Sequence, residues 1–241
     1  MNNSTKIRRL SRATLIAIIA SIGVSGSALA LKQDDDAMKI LQADFKTRNI
    51  ALVESGDFHL KVGQAVPTHT HSVPVVGYVL KGEIIYQVEG KKKTVLHKGD
   101  AFYEPAGARI LRFDNASKSE GASFIDFSFR HAGEPANSFK EERNGAIARN
   151  TVAVVEISAR GTKKIGVIEQ NLAPGAVDKF RVTEPLLGIV AEGVVIVREK
   201  GKVAQRVGAG QVFSIVNVGS RARIANGSTD MPAKFITFRV L

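Results

Sequence analysis

The sequence predicts an all-β protein built from two antiparallel β-barrels in tandem, with one short helix near the N-terminus. Two observations lead to this fold. From about residue 57 to residue 130, short runs rich in Val, Ile and Phe alternate with glycines, which is typical of a sandwich or barrel. A similar pattern returns after a polar linker. The 241 residues, 44% of them apolar, are enough for two small domains with real cores.

The first 30 residues have the composition of a bacterial export signal. Four basic residues open the segment: Lys6, Arg8, Arg9 and Arg12. A short apolar stretch follows, and Ser27–Ala30 has the small-x-small pattern that a signal peptidase cleaves. We expect cleavage after Ala30, a periplasmic or secreted mature protein, and no stable membrane span afterwards. The alternative is an uncleaved signal that remains as a membrane anchor.

The net charge and the cysteine content limit the partners and the kinds of site that the chain can have. The formal net charge of +11 favours anionic partners, and the basic residues are spread along the chain rather than clustered as in nucleic-acid-binding proteins. The Lys91–Lys93 triplet is interpreted as a solvated turn. Because the chain has no Cys, disulfides, cysteine nucleophiles and thiolate metal sites are excluded.

Residues 31–52 are predicted to be a leader with a short helix. Asp34–Asp36 would cap the helix, which would begin at Ala37 and run to about Lys46.

Residues 53–131 are predicted to form the first barrel, with short strands separated by Gly82, Gly90, Gly99, Gly107 and Gly121. The predicted strands are Phe58–Val66, Val75–Lys81, Ile84–Glu89, Thr94–His97, Ala101–Tyr103, Arg109–Phe113 and Ser123–Phe129.

A partly helical polar linker is expected at residues 132–150, followed by a second barrel at 151–241. Four positions of the first half recur with a constant shift of 111: Gly82, Gly90, Gly99 and Phe102 correspond to Gly193, Gly201, Gly210 and Phe213. This constancy predicts an internal duplication. The alternative is that small β-barrels generally have evenly spaced glycines.

Two spaced motifs in the first barrel resemble those of the cupin superfamily. Gly63 to His71 fits the opening of the first motif, a Gly, five residues and His-x-His, and Gly82 fits its closing Gly. Gly99 to Gly107 fits the second motif, a Gly, five residues and Pro-x-Gly. The resemblance implies cupin-type, jelly-roll-like barrels, the second of them degenerate, and a metal site at the His pair.

His69 and His71 are therefore the central candidates. Residues two apart on a strand share a face, so both imidazoles would point into the barrel and form half of a site for Mn, Fe, Ni, Cu or Zn. Two further ligands are usual in the family, and Val75 and Ile110 stand at their positions. Glu104 is the candidate that would complete a set of two His and one carboxylate.

Glu104 has an alternative interpretation as a rim carboxylate paired with Arg109 or Lys98. Other side chains predicted to line the same pocket are His59, Val75, Tyr78, Tyr103, Ile110 and Arg112. The second half has no histidine, which excludes the usual metal site there. Its role would be structural, or it would hold an anion through Arg181, Arg221 or Arg223.

The expected function is that of an exported cupin-domain protein binding a small, anionic molecule in the first barrel, with a divalent metal on the His pair or with no cofactor. One alternative implied by the resemblance is a metal-dependent dioxygenase, decarboxylase or isomerase acting on a small carboxylate or enol. Another is a structural or interaction protein, such as a homodimer associating through its sheets. No nucleophile elbow, phosphate loop or dinucleotide motif occurs in the sequence.

Overall fold

Strands make up all the regular secondary structure of the described residues, which in this computed structural model are 37–134, 139–141, 150–157 and 161–241. The expected export signal at residues 1–30 lies outside them. The strands are β1 (Ala37–Arg48), β2 (Leu52–Leu60), β3 (His69–His71), β4 (Val75–Lys81), β5 (Glu83–Val88), β6 (Thr94–His97), β7 (Ala101–Glu104), β8 (Arg109–Asn115), β9 (Ala122–Arg130), β10 (Phe139–Glu141), β11 (Asn150–Glu156), β12 (Thr162–Leu172), β13 (Val177–Arg181), β14 (Leu186–Glu192), β15 (Val194–Glu199), β16 (Gln205–Gly208), β17 (Val212–Ile215), β18 (Arg221–Asn226) and β19 (Ala233–Val240).

These strands form four antiparallel sheets, two for each barrel. The sheets β11-β2-β9-β4-β7 and β10-β3-β8-β5-β6 enclose the first barrel, and β1-β12-β19-β14-β17 and β13-β18-β15-β16 enclose the second. Side chains from both sheets of the first barrel meet in one apolar cluster that includes Phe58, Ile84 and Phe113. A separate cluster fills the second barrel. The predicted fold of two antiparallel barrels in tandem is thus confirmed.

Most predicted strands of the first barrel are present, and Val75–Lys81 and Thr94–His97 have the predicted bounds. The first strand is displaced: it was expected at Phe58–Val66 and lies at Leu52–Leu60. The chain turns soon after Leu60, because Gly63 adopts a left-handed conformation with φ of 63°. The expected partly helical linker contains the short strand β10, and its residues 135–138 and 142–149 lie outside the described part.

The predicted N-terminal helix is wrong, because residues 37–48 form strand β1. This strand pairs with β12 from Ala37 opposite Gln170 to Arg48 opposite Thr162. Ala43 is fully buried and Leu41 and Phe45 beside it are half-buried, so the apolar face repeats every two residues. Pairing with a distant strand outweighs the local helix-capping signal.

The two halves of the chain exchange edge strands. Strand β1, from the N-terminal half, extends the sheet of the second barrel, whereas β11 pairs with β2 and extends the sheet of the first. Each barrel is therefore completed by a strand that lies beyond the boundaries predicted along the chain at residues 53 and 151. The described residues from 37 onward belong to one compact unit.

The largest apolar cluster lies between the sheet β11-β2-β9-β4-β7 of the first barrel and the sheet β1-β12-β19-β14-β17 of the second. The rings of Phe127 on β9 and Phe238 on β19 are 4.4 Å apart at their centroids. The outward-facing side chains of these sheets are therefore buried, which leaves the barrel interiors and the two outer sheets to carry function. The described residues include no helix with the length and apolar character needed to cross a bilayer.

Close backbone approaches repeat in the two halves. A Cβ added at Gly77 would lie 2.2 Å from the ring of Phe102, and one at Gly188 would lie 2.2 Å from the ring of Phe213. Gly77 and Gly188 are also 111 residues apart. The glycines let each Phe ring pack directly on the backbone of the neighbouring strand, so both barrels close in the same way.

Candidate metal centre

Strand β3 places two imidazoles on one wall of the first barrel. His69 and His71 are 3% and 4% exposed, and their ring centroids are 5.0 Å apart. The strand is held between β8 and β10, with His69 directly opposite Ile110. Both His side chains share the inner face because they are two residues apart.

Glu104 approaches this pair from the opposite sheet. It ends β7, pairs with Val75 on β4, and is 3% exposed. Its Oε2 lies 2.7 Å from Nε2 of His71 and 4.0 Å from Nε2 of His69. The ligand atoms of the three residues all lie within 4.8 Å of one another, so this cluster has the composition and size to hold a metal ion.

The alternative pairing of Glu104 with Arg109 or Lys98 is not observed. Arg109 lies 3.0 Å from Glu89, and Lys98 lies 2.9 Å from Glu192. Both pairs are exposed, whereas Glu104 is buried. Its carboxylate is therefore directed at the two imidazoles.

A backbone carbonyl orients one of the imidazoles. Nδ1 of His69 lies 2.8 Å from the carbonyl oxygen of Pro67, which can only accept a hydrogen bond. Nδ1 of the neutral ring therefore carries the proton, and the lone pair of Nε2 is left facing Glu104. Carbonyl groups commonly fix the tautomer of metal-binding histidines in this way, so the donor set fits a divalent ion.

Tyr86 on β5 supports the segment that carries Glu104. Its hydroxyl donates to the carbonyl oxygen of Tyr103, the residue before Glu104. Burial raises the pKa of Tyr86 far above its usual value, and the charge of Glu104 raises it further. Tyr86 was not among the candidates predicted from sequence, although it occupies an inward position between Ile84 and Val88 on a predicted strand.

A buried ion pair lies in the same barrel. Arg130 donates from Nη1 to Glu54 over 2.8 Å, and both side chains are at most 5% exposed. Glu54 lies opposite Ser128, and Val75 lies opposite both Ser128 and Glu104, so these four side chains form one row across the sheet. This pair was not predicted from sequence, because the predicted strand ended one residue before Arg130 and partners in distant segments leave no local signal.

The other predicted pocket residues divide into two groups. Val75 and Ile110 are buried beside the cluster, opposite Glu104 and His69, but they offer no metal ligand. Tyr78 and Tyr103 lie on the reverse face of the same sheet as Glu104, in the cluster between the barrels.

His59 and Arg112 also lie away from the cluster. The His59 side chain is 67% exposed and contacts Asp57, and the Arg112 side chain is 46% exposed and contacts Asp114. The period of two along a strand explains these positions, since each neighbours an inward-facing residue. These residues were predicted to line the pocket because they are close to the motifs in the sequence. That prediction did not consider that successive side chains of a strand point to opposite faces.

Comparisons with known proteins agree with the geometry. Residues 56–127 match a family described as "Cupin domain". No curated protein shows significant similarity to the sequence.

Several solved structures share the fold over most of the chain. AerE from Microcystis aeruginosa is 13% identical, with a TM-score of 0.58 over 88% of this chain and 95% of that chain. Oxalate decarboxylase from Bacillus subtilis is 12% identical, with a TM-score of 0.60 over 86% and 76% of the two chains. A salicylate 1,2-dioxygenase from Pseudaminobacter salicylatoxidans is 16% identical, with a TM-score of 0.53 over 80% and 72%. At these identities the likeness establishes the fold alone.

Proposed function

Residues 56–127 form a cupin domain, and from this premise we propose that the first barrel binds a divalent metal ion through His69, His71 and Glu104 and thereby holds a small anionic molecule. The observation that carries the proposal is the convergence of two imidazoles and one carboxylate, all buried, within 4.8 Å.

The chemistry of the donor set supports this function. Two imidazoles and a carboxylate suit Mn, Fe, Ni, Cu or Zn, and a metal held by three protein ligands keeps a position open for another ligand. A divalent ion there would supply a Lewis acid that attracts and polarises an anionic oxygen. The protein's own groups orient the site: Pro67 fixes the tautomer of His69, and Tyr86 anchors the backbone next to Glu104. The formal net charge of the mature chain, +7 after removal of the four basic residues of the signal, also favours an anionic ligand.

A second candidate function is metal-dependent catalysis on a small carboxylate or enol. The three-ligand set favours it, because catalytic metal sites keep an open position whereas structural sites are closed. The similar structures include a decarboxylase and a dioxygenase, so decarboxylation and dioxygenation are the reaction classes to test first. Mass spectrometry of oxalate and of salicylate incubated with the metal-loaded protein tests this second function. Conversion of either compound would establish catalysis, whereas recovery of both unchanged would exclude oxalate decarboxylase and salicylate dioxygenase activity.

Metal content tests the primary proposal. The purified protein is incubated separately with Mn, Fe, Ni, Cu and Zn, desalted, and assayed for bound metal. We expect about one equivalent of one of these metals, lost in His69→Ala/His71→Ala and strongly weakened in Glu104→Gln, because this variant replaces a charged ligand by a neutral one. His59→Ala is the matched control, because this exposed His lies on the same barrel, and it should retain full binding. Failure of all five metals to bind stoichiometrically would contradict the proposal.

Export remains a proposal supported by the basic, apolar and small-residue pattern of residues 1–30. Mass spectrometry of the protein expressed in a bacterium should find a mature chain beginning at Leu31 in the periplasm or medium. An intact N-terminus retained with the membrane fraction would instead support an uncleaved anchor.

A further inference from the structure

The outer face of the four-stranded sheet in the second barrel is densely cationic. Lys179 on β13 lies directly opposite Arg223 on β18, which lies directly opposite Arg198 on β15. One step along the sheet, Arg181 lies opposite Arg221. With Arg206 on β16, these residues define the basic face: Lys179, Arg181, Arg198, Arg206, Arg221 and Arg223. Five of the six are exposed and Arg223 is half-buried.

No acidic side chain of these four strands shares the basic face. Alternation along the strands turns Asp178 and Glu199 to the inner face, where they lie opposite Ile224 and Ala222. Glu199 accepts hydrogen bonds there from Asn217 and Ser220. Like charges placed directly opposite each other destabilise a sheet, so the folded protein carries a repulsion that an anionic partner would relieve.

In the corresponding sheet of the first barrel, the two arginines are matched by nearby carboxylates: Arg109 pairs with Glu89 at 3.0 Å, and Arg112 pairs with Asp114. The directly opposed arginines of the second barrel therefore have no counterpart at these two positions of the first.

Exposed apolar side chains flank one end of the basic face. Val203, 86% exposed, lies in the turn after β15, and Val218, 54% exposed, lies in the loop before β18. These connections adjoin the cations, because Lys200 N–H donates to the carbonyl of Arg221 and Gly219 N–H donates to the carbonyl of Val182, next to Arg181. Cations beside exposed apolar side chains are typical of surfaces that rest on lipid headgroups.

We propose that the basic face docks the protein on the surface of an anionic phospholipid bilayer. Five of its six cations are arginines, whose planar guanidinium groups bind phosphate oxygens through paired hydrogen bonds. Val203 and Val218 contact the region just below the headgroups, which a soluble polyanion does not offer. This docking uses no residue of the metal centre and is independent of it.

Co-sedimentation with vesicles tests the docking. The mature chain beginning at Leu31, which lacks the basic and apolar segment of residues 1–30, is mixed with phosphatidylcholine vesicles, with or without about a third phosphatidylglycerol, at low and at physiological salt. We expect binding only to the anionic vesicles, weakened by salt. The variant Lys179→Gln/Arg198→Gln/Arg223→Gln should bind at least tenfold less, since each basic residue contributes about a fivefold factor. Its urea midpoint should stay equal or rise, because like-charge contacts are removed.

The control is Lys91→Gln/Lys92→Gln/Lys93→Gln, which removes the same charge from an exposed turn of the first barrel. It should bind within about twofold of the wild type. Equal loss in both triple variants would overturn the proposal, because binding would then follow net charge alone. Absence of binding to anionic vesicles would overturn it directly.

A second pair of variants distinguishes a bilayer from a soluble polyanion. Val203→Gln should weaken vesicle binding and leave the retention of the protein on immobilised polyphosphate unchanged. Val95→Gln, at a 45%-exposed valine of the first barrel, should alter neither. Retention on polyphosphate without vesicle binding, or no effect of Val203→Gln on vesicles, would show that the face does not dock on lipid.

Discussion

The hydroxyl group of Tyr86 helps to position Glu104, one of the three candidate metal ligands. Tyr86 reaches across the barrel from β5 and donates to the carbonyl beside Glu104, while its ring packs against Phe102 and Phe113. Replacing only the hydroxyl therefore loosens Glu104 and preserves the packing of the ring.

Tyr86→Phe should lower metal affinity about tenfold, since partners behind a metal ligand typically contribute this much, and should cost about 1 kcal/mol of stability. Competitive titration against a chelator measures the affinity. The control is Tyr103→Phe, whose hydroxyl donates to the carbonyl of Asp44 on β1, away from the cluster. An unchanged affinity in Tyr86→Phe would show that Glu104 is positioned without this hydrogen bond.

Tyrosine ionisation gives a second prediction at the residue scale. Burial, with smaller effects of Glu169, Glu192 and Asp100, raises the pKa of Tyr78 to about 12. Between pH about 10 and about 12, the unfolded chain releases a proton that folded Tyr78 retains, so stability falls as pH rises through this window. Urea unfolding across this range should show a shallower loss for Tyr78→Phe than for the wild type. Parallel curves would contradict the assignment to Tyr78.

Most strands form where the local sequence pattern and the long-range pairing agree. In β1 the two conflict, and the long-range pairing decides the structure. Its acidic cap and apolar run predict a helix, yet the segment pairs with β12, which is more than one hundred residues away. The alternation of Leu41, Ala43 and Phe45 with polar residues is visible in the sequence, but these side chains are buried only because the segment pairs with β12.

Neighbouring substitutions on β1 test its strand character. Ala43 is fully buried and Gln42 is exposed, so the same polar residue should have opposite consequences at the two positions. Ala43→Asn should cost about 2–4 kcal/mol by burying an unpaired amide, whereas Gln42→Asn should stay within about 0.5 kcal/mol of the wild type. Urea denaturation measures both free energies. Similar losses at both positions would contradict the observed register with β12.

At the scale of the whole molecule, the two halves differ in how β7 and β17 pack against the exchanged strands β1 and β11. In the first half, Tyr103 on β7 reaches β1 and bonds to Asp44. Ser214 on β17 stands 111 residues later, facing β11, and lines a cavity of about 190 Å³ between the halves. The cavity is lined by Val53, Ser55, Phe127, Ala153, Val155, Leu187, Gln205, Val212, Phe213 and Ser214.

Ser214→Tyr should place a ring in this cavity and raise the melting temperature, since filling a cavity typically adds about 0.5–2 kcal/mol. Calorimetry measures the change. Ser119→Tyr, in an exposed loop of the first barrel, is the control and should leave the melting temperature unchanged. A lower melting temperature for Ser214→Tyr would mean that the cavity cannot accommodate the ring.

The sequence by itself determined the fold class, most strands of the first barrel, the duplication, and the metal candidates His69, His71 and Glu104. These features depend on residues close together in the chain: alternation, turn glycines, and motifs such as His-x-His.

The tertiary structure alone decided the exchange of β1 and β11, the Glu54–Arg130 pair, the support of Glu104 by Tyr86, and the row of cations on the basic face. The physical reason is that each depends on which distant strands pair and in what register. Pairing buries one face of a strand and aligns its side chains with those of a neighbour, and a shift of one residue would place the opposite set inside.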